Sequence, residues 1–137
     1  MPSLPASEDS LLVRTDFSDD DAWRDVVSAI ETDNSDGFRA YVEVVDDRAW
    51  DGVAWQSIRE AALAADDHAL VLFVVDRIAF ADDYPILVLD LTEEARPPFR
   101  CITQELWAVD NNLNLGNMDW EDFAGNTDDD GIHRGVA

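Results

Sequence analysis

Apolar and polar positions change period several times along the chain, and each change marks an element. Leu11-Leu12-Val13 opens a buried strand that runs to about Thr15. Trp23, Val26, Val27 and Ile30 then recur at helical spacing and form one apolar stripe. Ser18 stands as the N-cap of that helix, with Asp19, Asp20 and Asp21 in the first turn, where the helix dipole favours negative charge. This placement gives the Asp triplet a structural role. Thr32 to Gly37 is a turn, and Phe38 to Val45 alternates as a strand with Phe38, Ala40, Val42 and Val44 on one side. Asp51 caps a second helix, with Trp50 and Trp55 as a hydrophobic staple and Ile58, Ala61 and Ala62 on the buried side.

Asp66-Asp67-His68 is a polar break before Ala69 to Val75, a stretch apolar throughout and so predicted as a central strand that continues through Phe80. Asp82 to Pro85 turns the chain, and Ile86 to Leu91 returns as a strand. Arg96-Pro97-Pro98 turns it again before Phe99 to Ile102. Connections this short suit an antiparallel meander. A third helix is expected from Thr103 to Leu115, closed by Gly116 in the left-handed conformation. Asp119 can cap a one-turn helix, with Asp122 at the capping-box position and Met118 and Phe123 as its staple; Gly125 stops it. Asn126 to Gly131 reads as an acidic loop before a short final strand or frayed end.

The expected fold class is therefore α+β in a single domain. An N-terminal strand-helix-strand-helix is followed by an antiparallel strand meander, and C-terminal helices pack on a mixed sheet. Residues 1–10, with two Pro, three Ser and two acids, are expected to be a mobile tail, and 11–137 the domain.

Composition agrees with one domain, since 137 residues with 47% apolar content suffice for one sizeable core. The longest apolar run, Ala69 to Val75, is too short to span a bilayer. The N-terminus has neither the basic start nor the apolar core of a secretory signal, and the lone Cys101 excludes an internal disulfide framework. A cytoplasmic location is expected, with no membrane partner.

Charge changes the picture more. Thirty-one carboxylates face nine basic groups, all of them Arg, for a net charge of −22. A field of that sign repels nucleic acid and anionic membrane and attracts basic partners. High-salt adaptation, a GC-rich genome that favours Asp and Arg over Lys, and a binding role all account for it. A binding role needs the carboxylates concentrated on one surface, yet they are spread along the sequence. Spread in sequence still permits a patch in space.

The familiar catalytic patterns are missing. Thr32, Asn34, Asp36, Gly37, Phe38 and Glu43 fall on calcium-loop positions, but the first should be Asp and a strand stands where a helix is needed. Asn126, Asp128, Asp130 and Gly131 begin the same pattern without its last carboxylate. His68 and His133 have no second ligand at zinc spacing. Cys101, behind Phe99 in a predicted strand, reads as a buried inert thiol. No serine elbow, phosphate loop or dinucleotide fingerprint occurs, so no catalytic residue, metal or cofactor is assigned.

Two polar regions adjoin the expected core. Asp76 and Asp90 end apolar strands, where a carboxylate is either a turn residue or, if desolvated, an acid–base group. Arg14-Thr15-Asp16 ends the first strand and reads as an internal ion pair or as part of a ligand site. Residues 106–123 are the second region. Leu106, Val109 and Leu113 make the core stripe of the third helix, and Trp107, Asn111 and Asn114 fall on a neighbouring face. That face either binds a neutral polar ligand or peptide backbone, or caps helix ends while Trp107 and Trp120 fill core. Arg14, Asp16, Trp107, Asn111 and Asn114 are thus the candidate binding residues.

Leu11 to Phe17, Phe73 to Arg77, Pro85 to Leu91, Leu106-Trp107, Asn111-Asn112-Leu113, Asn117-Met118-Asp119 and Asp122-Phe123 are fairly specific strings. In them the chain resembles a family of small acidic, mostly actinomycete proteins made of one domain of unknown function. The resemblance implies kinship from Leu11 almost to the C-terminus and a GC-rich source, and it brings no activity with it. The leading expectation is a non-enzymatic interaction protein that presents an acidic surface to a basic protein partner. An immunity- or antitoxin-like inhibitor and a nucleic-acid mimic are its concrete forms. The alternative is a small-molecule binding protein or enzyme with a pocket near Arg14/Asp16 and Trp107/Asn111.

Overall fold

The computed structural model describes residues 3–65 and 67–135. Six strands form one mixed sheet in the order β2-β1-β3-β4-β5-β6: β1 Ser10–Arg14, β2 Val42–Val45, β3 Val71–Val75, β4 Ile86–Asp90, β5 Phe99–Cys101 and β6 Ile132–His133. β1, β2 and β3 are mutually parallel, β4 runs against both its neighbours, and β6 pairs parallel with β5. The four helices are α1 Asp20–Glu31, α2 Trp55–Leu63, α3 Leu106–Leu115 and α4 Trp120–Ala124. This is the expected α+β arrangement, with the β3-β4-β5 meander as read.

The connection β1-α1-β2 moves one way across the sheet and β2-α2-β3 moves back past β1. Crossovers of one hand that travel in opposite directions leave their helices on opposite faces. Two cores follow, one on each face. Leu12, Phe73, Val75, Ile86 and Val88 meet Trp23, Val26 and Ile30 of α1, Leu106, Val109 and Leu113 of α3, and Trp120 and Phe123 of α4. Leu11, Val13, Leu72, Val74, Leu87 and Leu89 meet Trp50 and Ile58 and Ala62 of α2. β3 is buried along its whole length, because both faces are covered.

Local expectations were corrected in several places. The N-cap of α1 is Asp19, whose carboxylate accepts from Ala22 N at 3.0 Å, while Ser18 bonds the side chain of Asp16. Asp51 does not start α2. Asp47 caps a short 3-10 helix, Arg48–Trp50, and α2 begins at Trp55 without a side-chain cap. Buried Trp50 thus fills core, not a staple. β3 ends at Val75, and a second short 3-10 helix, Ile78–Phe80, follows, because Asp76 Oδ1 accepts from Ala79 N at 3.2 Å and turns the chain. Only Val42–Val45 of the predicted 38–45 strand pairs with β1; Phe38 is half-exposed and stacks on Trp107 with ring centroids 4.5 Å apart. The third helix opens as a 3-10 turn, Thr103–Glu105, before α3.

Other local signals held. Gly116 closes α3 at φ 72°, and α4 carries the Asp119/Asp122 capping box. In the N-terminal segment, Leu4 is buried against the α2-side core and Ser10 is already the first residue of β1. Asp66 of the polar break lies outside the described residues.

Candidate functional site

Alternation along β1 puts Ser10, Leu12 and Arg14 on the face that carries α1 and α3. The two polar residues bracket Leu12 and each ties one helix to the strand. At the first end, Ser10 Oγ donates to Asp110 Oδ1 of α3 at 2.7 Å, and Tyr41 N donates to Asp110 Oδ2 at 3.2 Å. Asn114 Nδ2 donates to Ser10 Oγ at 3.0 Å and to Asp110 Oδ1 at 2.9 Å, while Asn114 Oδ1 accepts from Leu70 N at 2.9 Å. Burial pushes the Asp110 carboxyl above the ordinary aspartate range, and the donors from Ser10, Tyr41 and Asn114 pull against that. Its polar atoms face one another and the backbone. It pins α3 and the approach to β2.

At the other end, buried Arg14 lies where the parallel strands finish. Its guanidinium donates to Asp20 at 2.6 Å, to Asp46 at 3.2 Å and to the carbonyl of Asp16 at 3.1 Å, with the ring of Phe17 4.2 Å from its centre. Those hydrogen bonds and charges outweigh desolvation and hold Arg14 firmly cationic. Asp16 Oδ1 accepts from the N–H of Ser18 at 2.9 Å and from its hydroxyl, which hold the Asp16 carboxyl below its usual range. Gly52 N donates to Thr15 O at 2.8 Å and draws the loop after β2 against the loop after β1. Asp16, Asp19, Asp20, Asp46, Asp47 and Asp51 therefore share one rim, all exposed save half-buried Asp16.

In open sheets with parallel strands, ligands favour the carboxyl ends where the direction of winding reverses, here between β1 and β3. α1 begins at this place, but Asp19 caps it and Asp20 and Asp21 fill its first turn. The positive helix end is already answered by the chain's own carboxylates, so it offers a phosphate no opening.

The remaining candidates have structural partners. Asp76 makes a two-pronged pair with Arg100, at 2.9 and 2.6 Å, between β3 and β5. Asp90 is buried, and its oxygens accept from Thr92 N and Arg96 N, both at 2.9 Å, which folds the loop after β4. Cys101 is buried and burial pushes its thiol up. Among the described residues no cluster of three His, Cys, Asp or Glu side chains is placed to hold a metal.

Trp107, Asn111 and Asn114 have different surroundings. Trp107 stacks on Phe38, Asn111 is exposed, and Asn114 turns into the Asp110 network. Asp110 and Ser10 were not singled out from sequence. An Asp one turn before Asn114 in an apolar helix was the available signal, but its partner is one hundred positions away. Five of the concavities on the described surface have none of Arg14, Asp16, Trp107, Asn111 and Asn114 in their walls. One, of about 600 Å³, lies between Asp33-Asn34, Phe38, Asp82-Asp83-Tyr84 and Thr103-Gln104. A second, of about 580 Å³, is an open groove between α1 and the outer strand β2.

The sequence profile of a family described as a domain of unknown function (DUF6924) matches residues 9–136, and the chain belongs to that family. No curated protein and no solved structure matches it. Among the described residues no helix is long and apolar enough to cross a membrane.

Proposed function

We propose that this member of a family without an assigned activity is a non-enzymatic interaction protein that presents an acidic surface to a basic protein partner. An immunity- or antitoxin-like inhibitor is one form of the reading and a nucleic-acid mimic another. The observation that carries it is the rim after β1 and β2, where six carboxylates scattered over residues 16–51 gather in space. Arg14 beneath the rim is committed to Asp20 and Asp46, and Arg48 beside it leans 5.3 Å over the ring of Phe17. Arg77 also acts on Asp16 and Arg24 on Asp20, so the six rim carboxylates keep a modest negative excess within a chain of net charge −22. Arg24, Arg39, Arg96, Arg100 and Arg134 pair with the chain's own carboxylates, and with thirty-one carboxylates against nine arginines most of the acidity stays unneutralised. Such a field steers basic proteins and keeps nucleic acid away.

Capture from a nuclease-treated native lysate at low salt, followed by stepwise elution with rising salt, tests this. The expected result is one basic protein released in the middle of the gradient, because long-range attraction is screened there. A specific complex whose affinity is indifferent to salt would remove the electrostatic reading.

A further inference from the structure

The acidic-surface reading leaves open which element a partner engages. We propose that the free edge of β2 and the groove beside it receive an extended segment of a basic protein, which joins the sheet as an added strand. This rests on the acidic-interaction reading and supplies its binding mode.

β2 is an outermost strand, bonded to β1 alone. Among the described residues no backbone hydrogen bond reaches it from outside the sheet. A bare strand edge is a template for another strand, and proteins blunt it with charge, shortness or cover. Here shortness and one charge are present: the strand has four residues, of which Glu43 is exposed. Cover is not. Tyr41 is 65% exposed just before β2, and Val44 is 37% exposed within it.

The groove supplies what strand addition needs for specificity, a place for alternate side chains. Trp23 and Val27 of α1 and Val44 of β2 make its apolar walls, and Glu31 stands at its rim. An added strand would send every second side chain towards these walls and the others to the α2 side. Charge then selects the occupant. Glu43 and Glu31 flank the edge, and Asp20, Asp46 and Asp47 close its far end. Arg24 in the groove wall is held by Asp21. Lysine or arginine alternating with apolar residues matches this surface. A second copy of the chain does not, because it would bring another Glu43 and another net charge of −22 to the same edge.

The test uses isotopically labelled full-length protein and two synthetic peptides of equal charge. One alternates lysine and valine, and its twin has prolines in place of the central valines. The alternating peptide should shift the resonances of Tyr41 to Val45 and Val27 and slow hydrogen exchange in β2. The twin, which lacks the donors for a ladder, should bind about tenfold more weakly. Glu43→Lys, at an exposed edge position that folding does not depend on, should weaken the alternating peptide while leaving the unbound spectrum otherwise intact. Equal binding of both peptides, with shifts confined to the Asp16–Asp20 and Asp46–Asp51 loops, would overturn strand addition and leave the acidic reading standing. Binding of neither peptide at low salt would overturn both. β2 amides already protected in the free protein by a concentration-dependent dimer would also overturn it, the edge being filled by a second copy.

Discussion

Ser10 Oγ and Asp110 Oδ1 lie 2.7 Å apart in the interior although one hundred positions separate them in sequence. The bond joins the first strand to the third helix, and Asn114 and Tyr41 N complete it. A carboxylate kept from water without a cation beside it survives because three donors replace its hydration. Removing it leaves the Ser10 hydroxyl and Tyr41 N without their acceptor, while Asn114 keeps Ser10 Oγ and the Asp110 carbonyl.

Asp110→Ala should therefore lower unfolding free energy by about 2–4 kcal/mol, since buried donors left without an acceptor lose their solvation. Urea unfolding with an unchanged slope checks it. A loss no larger than that of an exposed surface change would mean the network adds nothing to stability.

The pH profile has a definite sign. Asp110 is raised by burial, so between the ordinary aspartate value and its folded value the native state holds more protons than the unfolded one. Stability from this group falls as pH rises through that window. Asp16, Asp20 and Asp128 are lowered by hydrogen bonds from Ser18, Arg14 and Arg134 respectively. They contribute stability above the ordinary value, and it is lost as pH falls through their folded values. The mutual repulsion of −22 charges also weakens on acidification. Thermal unfolding at low ionic strength should thus show Tm rising as pH falls from neutral towards the ordinary aspartate value of about 3.9, then falling below it. Asp110→Asn should shrink the rise on the acid side.

Gly116 sits at φ 72°, where a side chain strains the backbone even though nothing lies within 4 Å of an added Cβ. Gly116→Ala should cost about 1 kcal/mol through conformation alone. Because no contact changes, the crystal structure of the variant should superpose on the parent; a repacked α3 would refute the cause.

Cys101, the last residue of β5, is buried in the core, and its thiol is pushed up by burial, so little thiolate forms at mildly alkaline pH. A chromogenic disulfide reagent should leave the native protein untouched and label it promptly in urea. Rapid labelling of the folded protein would place the sulfur at an accessible site.

What the sequence determined by itself was a set of features whose physics is local. The stripe of Trp23, Val26 and Ile30, the all-apolar β3, the left-handed Gly116 and the Asp119/Asp122 box each involve neighbours within about a turn, so spacing alone reveals them. Boundaries slipped where neighbouring residues compete for one role, as Ser18 and Asp19 did for the cap of α1. Tertiary structure decided the rest. Parallel pairing of β1 with β2 and β3 set Ser10 against Asp110, and it folded the loops after β1 and β2 into one acidic rim around Arg14. Asn114 illustrates the division: helical spacing placed it beside Trp107 and Asn111, but the hydroxyl of distant Ser10 and the carboxylate of Asp110, one turn earlier on α3, claimed its amide. Desolvation makes such pairings strong, and it exists only once distant segments have closed over them.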